Sequence, residues 1–95
     1  MRLNNQLIVF FKQSIVEKIP EAKIYLFGSR TSDDTFGGDI DILIISKNPM
    51  NRILLRSIRI EFYKRFGWQK LDLIYFTEND QSVFRQIIQS NAIEL

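Results

Sequence analysis

Between Leu3 and Ile19, the residues Leu3, Leu7, Phe10, Phe11, Ser14, Ile15 and Ile19 recur at spacings of three and four. That is the period of a helix with one face turned to a core. Pro20 stops it. Lys23-Ile24-Tyr25-Leu26-Phe27 is a short β-prone run ended by Gly28, and Arg30 to Gly38 is a polar loop holding Asp33, Asp34 and the Gly37-Gly38 pair. Asp39 to Ile45 reads DIDILII, a second strand closed by Asn48-Pro49. From Met50 to Phe66 the period returns to 3.6, predicting a helix that buries Met50, Ile53, Leu54, Ile58, Phe62 and Phe66 and is capped by Gly67. Trp68 to Phe76 predicts a third strand. Thr77 to Asp80 then shows the hydroxyl-to-carboxylate spacing of a capping box. A last helix follows, with Val83, Phe84, Ile87 and Ile88 inward and Asn91 ending it in the left-handed conformation.

This order predicts one domain over residues 1–95, an α/β fold with a small mixed sheet of about three strands and helices packed on it. The long helix between strands two and three implies a parallel crossover. The loop between strands one and two is short enough for an antiparallel pair.

Composition narrows the chemistry. Of 95 residues, 45% are apolar and eight are Phe, enough for a core. The chain has no Cys and no His, which removes thiolate nucleophiles, disulfides, the commonest general base and the commonest zinc ligands. Catalysis is left to carboxylates, Lys/Arg, hydroxyls or a hard metal such as Mg²⁺. A net charge of +2 is too slight a footprint to indicate nucleic acid as a direct ligand. No apolar run approaches the ~20 residues of a membrane span, and no small-residue cleavage site follows the N-terminal stretch, so a cytoplasmic protein is expected.

The second strand departs from an ordinary pattern. By its period of two, Asp39, Asp41, Leu43 and Ile45 share one face, and Ile40, Ile42 and Ile44 the other. Two carboxylates at the start of an apolar strand need a compensating cation or a shift in protonation. The third strand repeats the oddity with Asp72, near its start. Parallel pairing brings both strand starts to one edge, and an antiparallel first strand delivers Gly28-Ser29 there too. Three carboxylates without His or Cys form a hard-cation site suited to Mg²⁺. Gly28, Ser29 and Arg30 offer backbone, hydroxyl and guanidinium to a triphosphate.

Gly28-Ser29, nine intervening residues, Asp39-Ile40-Asp41 and a third carboxylate at Asp72 resemble the signature of the DNA polymerase β-like nucleotidyltransferases. The run from Gly28-Ser29-Arg30 to Asp39-Ile40-Asp41-Ile42-Leu43-Ile44 is most similar to the minimal nucleotidyltransferase (MNT) antitoxins paired with HEPN-domain toxins. The likeness covers essentially the whole chain, including the extended end at Asn91 to Leu95. Asp33, Asp34 and Phe36 stand where many relatives are more basic or richer in Ala and Gly. The resemblance implies a nucleotidyltransferase fold and in-line transfer of a nucleoside monophosphate, AMP from ATP, to a hydroxyl. It implies Asp39, Asp41 and Asp72 as catalytic residues and metal ligands, two Mg²⁺ ions, and Gly28, Ser29 and Arg30 as the nucleotide-binding residues. The implied acceptor is a tyrosine of the HEPN toxin, in a heteromeric complex. The core fold takes up the residues available, which agrees with an acceptor presented by another macromolecule.

Other readings of these residues stand beside that one. Gly28-Ser29 alone is a turn, and Asp39 and Asp41 alone are loop caps or ion-pair partners of Arg30 and Lys70. Arg30 divides evenly between a phosphate contact and an ion pair with the carboxylates. Arg52, Arg56, Arg59 and Tyr63 at helical spacing read as a solvated face before an RNA or partner surface. Phe10, Phe11, Phe62, Phe66 and Phe84 read as core, and Trp68 and Tyr75 as packing before adenine stacking. For function, the alternatives are neutralisation by binding only, and transfer to a nucleic acid or small molecule.

Overall fold

A computed structural model describes residues 5–27, 40–49 and 51–95. The elements run α1 (Asn5–Lys18), β1 (Lys23–Phe27), β2 (Ile40–Ser46), α2 (Arg52–Phe66), β3 (Leu71–Thr77), α3 (Val83–Ser90) and β4 (Ile93–Glu94). The sheet order is β3-β2-β1-β4. β2 and β3 are parallel, as a helical crossover requires, and β1 is antiparallel to both β2 and β4. The sheet therefore has a fourth strand beyond the three expected. Two residues at the end of the chain supply it, too few to leave a period in the sequence, and Leu95 N–H continues the pairing to the Ile24 carbonyl at 2.9 Å.

Strand alternation divides the core into two layers. Ile40, Ile42 and Ile44 of β2 join Ile24 and Leu26 of β1 and Leu71 and Leu73 of β3 under α1 and α2. There Phe11 and Phe62, both fully buried, stack with centroids 5.7 Å apart. On the other face, Tyr25, Leu43 and Ile45 meet Ile88 of α3. α1 and α2 are tied by Glu61, whose carboxylate accepts from Ser14 Oγ at 2.9 Å, Lys18 Nζ at 2.8 Å and Ser57 Oγ at 3.3 Å. The Lys18 hydrogen bond is the main reason the Glu61 pKa falls below the usual glutamate range; desolvation opposes it, and Ser14, the Lys18 charge and Ser57 add to it.

Several local expectations need correction. In α2, Asn51 is the N-cap, its side chain accepting from Ile53 N–H at 2.7 Å, and Gly67 (φ 81°) closes the other end with its N–H on the Tyr63 carbonyl. Ile53 is 71% exposed, not buried. It lies nine residues before Phe62, two and a half turns, which puts it on the opposite side of the helix. β3 begins at Leu71 rather than Trp68, because the first ladder bond is Ile40 N–H to the Lys70 carbonyl at 3.0 Å; Trp68 is 80% exposed.

Thr77 is still paired in β3, opposite Ser46, so it cannot open a capping box. Asp80 instead accepts from Ser82 N–H at 2.8 Å, a bond that holds its pKa low, and Ser82 caps α3 by accepting from Arg85 N–H at 3.2 Å. α3 is also rotated from its expected setting. Ile88 is buried, but Val83, Phe84 and Ile87 are 69%, 58% and 56% exposed. Polar anchors set the rotation: Arg85 Nη1 donates to the carbonyls of Glu78 and Asp80, and Gln89 Nε2 reaches the Tyr25 hydroxyl at 3.5 Å. Phe84 is therefore no core residue, although its ring meets Phe76 edge-on. Asn91 has φ −105°, outside the left-handed region, and ends the helix by donating from Nδ2 to the Ile87 carbonyl at 3.0 Å. The inward placements of Leu3 and Met50 lie outside the described residues.

Candidate functional site

β2 presents the alternation expected of it. Asp41 shares its face with Leu43 and Ile45, which are buried under α3, while Ile40, Ile42 and Ile44 enter the larger layer. In the parallel register Asp41 stands directly opposite Asp72, between the pairs Ile40↔Leu71 and Ile42↔Leu73. Residues so paired lie on the same face of neighbouring strands about 4.8 Å apart. Both aspartates are half-buried, and each is the second residue of its strand. Phe27, the last residue of β1, pairs antiparallel with Asp41, so the chain leaves β1 at this same edge.

Asp41 and Asp72 are thus brought together as the sequence predicts. Gly28, Ser29, Arg30 and Asp39 lie outside the described residues. Among the described residues no group of three or more carboxylate, His or Cys side chains gathers. Two adjacent carboxylates on one sheet edge repel when both are ionised, and this cost is relieved by a cation bound between them. All-oxygen donors fit a hard divalent ion. The donor set is therefore right for the metal that such chemistry uses.

Sequence reasoning missed a third contributor to this edge. Arg59, read from its spacing as a solvated residue of α2, is half-buried and donates from Nη1 to the carbonyl of Leu71, the residue before Asp72. The sequence carries no signal for it, since Arg59 shares the spacing of the exposed Arg52 and Arg56, and only the fold brings α2 against the start of β3. Tyr75 is held by its hydroxyl, which donates to the Asn48 carbonyl at 2.7 Å. A groove of about 360 Å³ along α2, lined by Ile53, Arg56, Ser57, Ile60, Glu61 and Lys64, includes neither aspartate and lacks their converging charge.

No helix among the described residues is long and apolar enough to cross a membrane. Comparison with curated proteins returns no match. The profile of the family described as Polymerase beta, Nucleotidyltransferase matches residues 5–93, which takes in every helix and three of the strands whole. Nucleotidyl transfer, with a nucleoside triphosphate and a divalent metal, is the general chemistry of that superfamily. With its mixed sheet and its aspartates in register, this chain belongs to the polymerase β nucleotidyltransferase family.

Proposed function

We propose that this protein is a Mg²⁺-dependent protein adenylyltransferase that moves AMP from ATP to a tyrosine hydroxyl of a HEPN toxin and so acts as its antitoxin. The observation that carries the reading is the register of Asp41 with Asp72, at the edge where β1 hands the chain to Gly28-Ser29-Arg30. Asp39, Asp41 and Asp72 hold the metal. Mg²⁺, when bound, offsets the triphosphate charge and makes the acceptor hydroxyl more acidic. Ser29 and Arg30 orient the triphosphate so that the acceptor oxygen faces the α-phosphorus opposite the leaving group. A bond forms between that oxygen and the α-phosphorus, the bond to the β-phosphate oxygen breaks, pyrophosphate leaves, and Asp72 takes the hydroxyl proton.

A second reading, neutralisation by contact without turnover, draws support from the exposed Val83, Phe84 and Ile87 on the face of the sheet that carries the carboxylates. One experiment separates them. The protein is incubated with Mg²⁺ and lysate of its own source, with α-³²P-ATP and in parallel with γ-³²P-ATP, beside Asp41→Asn. The expected result is a protease-sensitive band labelled from the α-phosphate by wild type alone. Label from the γ-phosphate overturns nucleotidyl transfer. Neutralisation of the toxin by Asp41→Asn at equal dose favours contact, and a ribonuclease-sensitive product moves the acceptor to nucleic acid.

A further inference from the structure

We infer that Arg59 is a positioning residue for Asp72, fixing the peptide plane on which the metal-holding carboxylate is presented; this rests on the role proposed for Asp72 above. Among the described residues β3 is an edge strand, with β2 on one side. Its Lys70 carbonyl faces β2 and accepts from Ile40 N–H at 3.0 Å. Carbonyls alternate along a strand, so the next one, that of Leu71, faces the open edge, and the Arg59 guanidinium takes it. Consecutive carbonyls before Asp72 are thus held from opposite sides, by β2 and by α2.

The peptide unit that Arg59 grips includes the nitrogen of Asp72. Because that unit is planar, its orientation sets the direction in which the Asp72 Cα–Cβ bond leaves the strand. Asp41 sits in the interior of the sheet between two paired strands and needs no such aid, since β1 and β3 hold its backbone from both sides. Among the described residues, Asp72 has a strand on one side alone. Arg59 takes the place of a neighbour on the other side, at the peptide where a tilt would separate the two carboxylates.

Charge and geometry predict opposite signs, which makes the inference testable. Removing a cation from beside a divalent-metal site tightens metal binding by electrostatics alone, whereas loosening Asp72 weakens it. Outer residues that orient metal ligands typically change affinity by 10–100-fold. The test measures Mn²⁺ binding by the free-ion EPR signal, with wild type, Asp72→Asn, Arg59→Met and Arg59→Lys, each checked for folding by circular dichroism. Wild type is expected to bind and Asp72→Asn to lose binding. Arg59→Met is expected to weaken Mn²⁺ by about tenfold or more, with Arg59→Lys between it and wild type. Unchanged or tighter binding in folded Arg59→Met overturns the inference, including where that variant associates through its uncovered β3 edge. If Arg59→Met does not fold, wild-type affinity in Arg59→Lys overturns it. Equal affinity in wild type and Asp72→Asn removes the metal role of Asp72 itself, and the inference with it.

Discussion

The two faces of the sheet are built to different standards. Under α1 and α2, residues from all three long strands meet Phe10, Phe11, Ile15, Ile58 and Phe62 in a layer with almost no solvent exposure. Under α3, Tyr25, Leu43, Ile45 and Ile88 are buried, while Phe27, Ile74 and Phe76 remain half-covered and Asp41 and Asp72 occupy the strand starts. Burial stabilises at about 25 cal/mol per Å² of apolar surface removed from water, so the first face carries most of the stability. The second carries little, and it is where charged groups can approach a partner. Stability and chemistry are separated by one strand's thickness, through the alternation of β2.

That separation is open to attack by substitution. The largest effect is expected at the carboxylates: Asp41→Asn or Asp72→Asn should lower the α-phosphoryl transfer rate by about 10⁴-fold, ~5.5 kcal/mol of barrier, in a labelling time course. Next comes Phe62→Ala, expected to cost about 3–5 kcal/mol in denaturant titration through the cavity it leaves between Phe10, Phe11 and Phe66. Phe84→Ala, on the other side, should cost less than ~1 kcal/mol, since that ring is already mostly in solvent. Equal losses at Phe62 and Phe84 would break the contrast between the faces.

Smaller effects sharpen it. Ser82→Ala removes the α3 cap and is expected to cost ~1 kcal/mol. Glu61 links α1 to α2, and its folded pKa is depressed, first by Lys18. Its contribution is therefore present above the usual glutamate range and lost as pH falls through the folded value. With the Glu61 side chain 42% exposed, that contribution is under ~1 kcal/mol. Glu61→Gln should lower the melting temperature on the neutral side, by the equivalent of under ~1 kcal/mol, and leave the acid side, where Glu61 is protonated in the wild type, little changed.

What could be read in the sequence followed the strength of its periods. β2 is legible as a strand covered on both sides because Ile42 to Ile45 run apolar without a break, and Asp41 and Asp72 are legible as intruders in apolar strands. α2 is legible at Ile58 and Phe62 but not at Ile53, where one more apolar residue in the first turn mimics the stripe. α3 has eight residues, barely two turns, so its rotation is decided by Arg85 and Gln89 reaching for distant oxygens rather than by its own pattern. The cap was ambiguous because Thr77 and Ser82 both offer a hydroxyl before the helix, and sheet pairing removes Thr77. Of the candidate site, Asp41 and Asp72 fall within the described residues; Gly28, Ser29, Arg30 and Asp39 fall outside them.

The pairing of β4 with β1 bears on how the molecule comes to be folded. β1 is among the first elements synthesised and β4 is the last of those described, so β2, α2, β3 and α3 all lie between Leu26 and its partner Ile93. Closing so long a span is slow, because the entropy of bringing distant segments together is lost before the contact is made. Until then a nascent chain shows the outer backbone of β1 unpaired, a template for association with other chains. An early stop ahead of Ile93 leaves both aspartates on their strands and that edge open, so the penalty would surface in yield and solubility before it surfaced in chemistry.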